Sequence, residues 1–147
     1  LTLDDFHGRE GCNELLVETR PDVIEAILQC YYAAGADVVE TNTFGGMSYV
    51  LDEFDIGHRA FELNEKAAQV ARRVADRMST DGKPRFVAGS MGPGTKLVTI
   101  GHIGADELFE SYKTYAKGLI AGGVDCLNIE TCQDILQVKL AVIASHA

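Results

Sequence analysis

The residues best placed to do chemistry are two acids, Glu40 and Glu130, each closing a short run of apolar residues. Ala34-Gly35-Ala36-Asp37 followed by Val38-Val39-Glu40-Thr41 is echoed by Gly122-Gly123-Val124-Asp125 followed by Cys126 to Glu130 and Thr131. The second run is longer by two residues, so both Glu side chains keep the same facing relative to the preceding Asp. An acid at the carboxyl end of a parallel strand stands on the edge where such folds bind ligands. A carboxylate held there is costly unless it meets a cation, and a substrate ammonium is a natural one. A scaffold Lys or Arg would serve Glu130 equally well, and spacing alone leaves that choice open.

A glycine-rich loop, Gly89-Ser90-Met91-Gly92-Pro93-Gly94-Thr95-Lys96, offers a second chemistry, the cradling of an anion. It does not match a P-loop, because Thr precedes Lys and Leu97 to Gly101 delay the next helix. It also lacks the third Gly of a dinucleotide fingerprint. Gly92-Pro93-Gly94 is therefore either a plain tight turn or one whose backbone N–H groups approach a ligand carboxylate. Four Cys and four His raise a metal question. Cys12 and Cys30 stand apart, Cys126 and Cys132 have neither zinc-ribbon nor redox spacing, and His7, His58, His102 and His146 are scattered, so no metal ligand is assigned. Cys126 alternates with Asn128 and Glu130 and reads as a small core residue, whereas Cys132, past the strand end, could line a site. Scattered, unpaired Cys suit a reducing cytoplasm.

The elements that must position these residues alternate strictly. Thr19-Arg20-Pro21-Asp22 reads as a helix start with Thr19 as cap, followed by a stripe at Val23, Ile27 and Tyr31 and a stop at Gly35. Asp37 to Thr41 reads as a buried strand, and a loop runs from Asn42 to about Gly57. Leu63, Ala67, Val70, Val74 and Met78 mark a second helix, and Arg85 to Gly89 a second strand. After a loop from Ser90 to Gly104, Leu108, Tyr112, Tyr115 and Leu119 mark a third helix, Asp125 to Glu130 a third strand, and a last helix begins near Asp134 with Ile135, Val138 and Val142 on one stripe. Alternation of this kind predicts a parallel sheet covered by helices. Three units fit part of an eightfold barrel better than a finished doubly wound sheet.

Composition narrows the classes. Apolar residues make up 46% of the 147-residue chain, which excludes intrinsic disorder, and four Cys are too few for a disulfide scaffold. No stretch approaches the roughly 18 apolar residues of a membrane span. Thirteen Lys and Arg against twenty-two Asp and Glu leave a net charge of −9, which repels phosphate backbones and anionic lipid, so neither nucleic acid nor membrane is an expected partner. Leu1 is not an initiator Met, and the final helical pattern continues to Ala147, so the chain reads as a piece of a longer protein; the alternative is a complete small domain with a clipped tail.

Gly35-Ala36-Asp37-Val38-Val39-Glu40-Thr41-Asn42-Thr43-Phe44 resembles the second-strand signature of the homocysteine S-methyltransferase family. Val87 to Pro93 resembles its third-strand turn, Gly122 to Asp125 with Ile129-Glu130-Thr131 its fourth strand, and Asn13-Glu14-Leu15-Leu16 with Pro21 the lead into its first helix. These matches cover nearly the whole chain in order and are nearest to the family's cobalamin-dependent branch. The resemblance implies an α/β fold, part of a (β/α)8 TIM barrel, with residues 1–147 forming a partial homocysteine-binding domain of about three strands that lacks the first strand and the C-terminal half. It implies a zinc ion that binds the homocysteine thiolate, and a methyl donor, methylcobalamin recharged by methyltetrahydrofolate, on cobalamin-binding and folate-binding modules of the same protein. It also implies that Glu130 holds the substrate amino group and that Thr41, Asn42 and Ser90 line the same pocket. The family's Asp-Gly motif and its adjacent Cys pair are absent, so no catalytic or zinc-binding residue is expected within this chain.

Three rivals stay open: a free-standing methyltransferase with a sulfonium or betaine donor, a non-catalytic barrel fragment, and an unrelated barrel enzyme that binds a carboxylate or phosphate ester. The last is favoured only where Glu130 pairs with a scaffold cation.

Overall fold

The computed structural model describes residues 1–147. Its elements run α1 (Leu16–Thr19), α2 (Pro21–Ala33), β1 (Val38–Glu40), α3 (Ser48–Leu51), α4 (Ala60–Met78), β2 (Phe86–Met91), α5 (Ala105–Ala121), β3 (Cys126–Ile129) and α6 (Ile135–Ser145), with short 3-10 turns between. Every strand pairs in parallel, in the order β1-β2-β3, as strict alternation with helices requires. No helix is long and apolar enough to cross a membrane.

Register sets which side chains share a face. Glu40 aligns with Ala88 and Ala88 with Cys126, while Ser90 aligns with Asn128. Alternation along each strand then puts Glu40, Ala88, Ser90, Cys126, Asn128 and Glu130 on one face, as the even offset between the two acids requires. Val39, Val87 and Met91 occupy the opposite face and are buried under the helices. Those helices fill three apolar clusters, one of them centred on Met91, Leu108, Tyr112, Tyr115 and Leu119.

At the amino edge of the sheet, Asp125 of the repeated motif is structural. Asp125 accepts hydrogen bonds from Val87 N at 2.7 Å and Arg72 Nη1 at 2.8 Å. Arg85 is nearly buried and donates to Tyr32 O at 3.1 Å and Gly35 O at 3.4 Å, satisfying carbonyls at the end of α2. Gly35, at φ +113°, supplies the left-handed turn that releases the chain into β1.

Six expectations require correction. In the strand expected to be buried, Val39 is buried but Val38 and Glu40 are exposed on the open face, and the expected loop from Asn42 to about Gly57 contains the short helix α3. Thr19 ends α1 and does not cap α2; Arg20 holds that position, with no capping side-chain bond, and pairs with Asp22 at 2.8 Å. In α2 the buried stripe is Ile24, Leu28 and Tyr32, one position on from the expected one, and Ile27 and Tyr31 are exposed. In α6 the buried positions are Gln137, Ala141 and Ala144, while Ile135 and Val142 are exposed. Both helices are apolar around much of their circumference, so periodicity does not single out one face. Cys126 is exposed, because nothing in the chain covers the sheet face it shares with Glu40 and Asn128.

Candidate functional site

Two hydrogen-bonded pairs lie on the open face of the sheet. Ser90, buried on β2, donates from Oγ to Glu130 Oε1 at 2.6 Å. Glu130 itself follows the last residue of β3, and its N–H donates to Met91 O at 3.1 Å, extending the ladder by one position. Two residues back along β3, Asn128 donates from Nδ2 to Glu40 Oε1 at 2.6 Å. That contact passes over Ala88, whose single methyl lets side chains of β1 and β3 meet across the middle strand. No Lys, Arg or His lies within ion-pairing distance of Glu40 or Glu130. A half-buried carboxylate fixed by a hydroxyl and lacking a scaffold cation can accept an ammonium from a bound molecule.

Ser90 is held by its own backbone. Thr43 donates from Oγ1 to Ser90 O at 2.8 Å, which consumes its single proton. Thr41 must then be the donor in the 2.6 Å contact between the two threonine hydroxyls, and Thr41 Oγ1 in turn accepts from Ser90 N at 3.0 Å. Thr41 is buried, and its hydroxyl is committed to this brace. Asn42 is half-exposed and donates from Nδ2 to Asn13 O at 2.7 Å, while Glu14 accepts from Gly45 N at 2.7 Å. The segment before α1 is thereby tied to the loop after β1. Ser90 and Glu130 are thus in direct contact, Thr41 touches the pair through Ser90's backbone, and Asn42 stands at the same sheet edge without touching either acid.

Sequence reading missed Tyr115, Tyr112 and Asn128. Tyr115, fully buried on α5, shares its one hydroxyl proton between the carbonyls of Thr43 and Ser90, the latter at 2.7 Å, and accepts from Gly92 N at 3.4 Å. Tyr112 donates to Gly92 O at 3.4 Å, and its hydroxyl lies 3.8 Å from Cys132 Sγ. Burial pushes both phenols well above their usual range, so they stay protonated donors. Their helical spacing marked them as core, and they are core; only the three-dimensional placement shows their hydroxyls reaching the strand ends.

The Gly92-Pro93-Gly94 turn is packed against protein. A Cβ at Gly92 would fall 2.3 Å from Phe44 O, and one at Gly94 only 1.9 Å from the Tyr49 hydroxyl. Gln137, fully buried, donates to Pro93 O at 3.1 Å and Lys96 O at 2.8 Å. Between the two readings of this turn, close packing accounts for its glycines. The loop beyond is anchored by Asp134, which caps α6 through Leu136 N at 2.8 Å and accepts from Thr99 N at 2.8 Å. The Thr99 hydroxyl also donates to it, and that bond first, with the two backbone bonds, holds its carboxyl below the usual range.

The cysteines do not converge. Cys12 is buried, Cys30 and Cys126 are exposed, and Cys132 is partly covered, where burial pushes its thiol up. No three His, Cys, Asp or Glu side chains meet in a group that could hold a metal ion.

This parallel α/β segment, with an acid and a serine joined across its strand ends, belongs to the homocysteine S-methyltransferase family, whose family model matches residues 2–147. The chain is 52% identical over 146 residues to the methionine synthases of Mycobacterium tuberculosis and Mycobacterium leprae, covering 99% of itself and 12% of each relative. It therefore spans about an eighth of their length. Its fold also superposes on the homocysteine methyltransferase MmuM from Escherichia coli, with TM-scores of 0.74 for the metallated form and 0.77 for the oxidized form. Identities there are 18% and 19%, and the match covers 96% and 97% of this chain and 55% of the other.

Proposed function

We propose that residues 1–147 form three strand-and-helix units of a (β/α)8 barrel that binds homocysteine, within a protein that methylates its thiol to give methionine. The observation that carries this reading is Glu130, fixed by the Ser90 hydroxyl at 2.6 Å and free of any scaffold cation, at the carboxyl edge of a parallel sheet. Its second oxygen is left for the ammonium of the amino acid. That no Lys or Arg of these residues pairs with Glu130 supports the ammonium reading over an unrelated carboxylate-binding or phosphate-binding barrel. Thr41 acts as a brace that sets Ser90, and Asn42 holds the rim against the segment before α1.

Zinc does not fit the residues present, since no set of three ligands converges. The reading therefore gives this segment the amino-acid end of the substrate and assigns zinc, and with it thiol activation, to residues outside the chain. Methylcobalamin, recharged by methyltetrahydrofolate on further modules, is the donor we favour, because the relatives at 52% identity are methionine synthases.

Calorimetry on the full-length protein with homocysteine and its desamino analogue tests the reading. Loss of one charge-assisted bond costs about 1.5–3 kcal/mol, so the analogue should bind roughly tenfold to a hundredfold more weakly. Equal affinities would refute an ammonium site at Glu130.

A further inference from the structure

The residue after Glu130 is in an unusual conformation. Thr131 has a φ of +58°, in the left-handed region that β-branched residues rarely adopt. Its side chain is exposed and makes no hydrogen bond, so no contact of the threonine itself explains the residue. Glycine would take this conformation without steric cost. A stiff residue therefore stands where a flexible one would be less strained, and such a state persists only where the surroundings impose it.

Those surroundings are visible on both sides. Before Thr131, the Glu130 N–H is fixed to Met91 O at 3.1 Å and its carboxylate to Ser90 Oγ at 2.6 Å. After it, Cys132 Sγ rests 3.8 Å from the buried Tyr112 hydroxyl, which also donates to Gly92 O at 3.4 Å. Two residues further on, Asp134 anchors the start of α6 and the loop at Thr99. The left-handed step at Thr131 ends the strand and turns the chain toward Tyr112, leaving the Glu130 carboxylate against Ser90.

We propose that Thr131 is a positioning residue: its stiff left-handed backbone, clamped between the Met91 ladder bond and the Tyr112–Cys132 contact, fixes the direction of the Glu130 carboxylate. This inference rests on the reading of Glu130 as the ammonium acceptor, and the test separates the two. In the full-length protein, Thr131→Gly keeps the conformation accessible while releasing the stiffness. Thr131→Asn tolerates the left-handed region and serves as the conservative control.

Hydrogen exchange needs no substrate. Thr131→Gly should speed exchange in the peptide spanning residues 130–133 by roughly twofold to fivefold, the freedom a glycine adds, with β2 unchanged and Thr131→Asn close to wild type. Homocysteine affinity should fall by a similar factor in Thr131→Gly, with kcat unchanged. Unaltered exchange in that peptide overturns the positioning role. Faster exchange with wild-type homocysteine affinity overturns its link to substrate, and so does loss in the Asn variant equal to that in Gly. Glu130→Gln run alongside supplies the separation: if it weakens binding while Thr131→Gly does not, only the positioning role fails. If Glu130→Gln leaves affinity unchanged, the ammonium site itself falls and this inference with it.

Discussion

Tyr115→Phe removes one oxygen from the middle of the molecule, and its cost can be worked from the bonds that oxygen makes. The hydroxyl meets three backbone groups, sharing its one proton between the carbonyls of Thr43 and Ser90 and accepting from the N–H of Gly92. The carbonyl of Thr43 keeps a second donor, Gly46 N at 2.7 Å, and that of Ser90 keeps Thr43 Oγ1 at 2.8 Å. Gly92 N has no other acceptor. The substitution therefore orphans one buried N–H and leaves two carbonyls partly satisfied, a cost of about 1–3 kcal/mol and centrally about 2. The ring stays, so no cavity opens beyond the oxygen itself. Native-state hydrogen exchange on the full-length protein reads this locally: the slowest amides of β2 and α5 should exchange about 30-fold faster, the equivalent of about 2 kcal/mol. Acceleration below about threefold would mean that the three bonds are not made in solution, and the brace behind Ser90 would have to be abandoned.

Further outcomes follow from other parts of the structure. The isolated 147-residue chain should self-associate or melt broadly, because Ile27, Tyr31, Val38, Phe86, Ile135 and Ile143 are exposed; sedimentation showing a monomer with a sharp cooperative melt would contradict this. The Glu18–Arg59–Glu62–Lys66 network that joins α1 to α4 should weaken in acid. Glu62 is lowered from 4.5 to about 2, chiefly by its bond from Arg59, so its contribution is present above about pH 4.5 and is lost as pH falls through about 2, which an acid titration of helix content would follow. Asp134→Ala should cost about 0.5–2 kcal/mol as a lost cap and make the loop around Thr99 the first site of limited proteolysis; unchanged cleavage would refute the tether. Metal analysis of the dialysed chain should give well below one zinc per molecule, and stoichiometric zinc lost on mutating Cys126 or Cys132 would overturn the reading of the cysteines.

The sequence was most legible where one face of an element is clearly apolar and the other clearly polar. The α4 and α5 stripes appear as read, because charged residues on their outer faces leave one way to bury them, and the three strands fall where their β-branched and apolar runs placed them. The stripe of α2 was not legible, since Val23, Ile27 and Tyr31 compete with Ile24, Leu28 and Tyr32 on adjacent lines and only the partner surface decides between them. In α6 the same ambiguity hid Gln137, a polar residue that is fully buried because it serves two loop carbonyls. At the site, parity along the strands gave Glu40 and Glu130 a common face, but their partners came from other strands. Nothing local to Asn128 marks it as Glu40's donor, and the contact depends on Ala88 being small in the strand between. Tyr115 and Tyr112 read as apolar volume, and their hydroxyls matter only because α5 ends them beside the Gly92 turn.

The measurement that bears most directly on the account is homocysteine affinity of Glu130→Gln in the full-length protein, by calorimetry, against the desamino analogue. The amide keeps the shape and can still accept from Ser90, so what is removed is the charge facing the substrate ammonium. The account predicts homocysteine binding weaker by roughly tenfold to a hundredfold, with analogue binding unchanged. Unchanged homocysteine affinity, or an equal loss for both ligands, would contradict it.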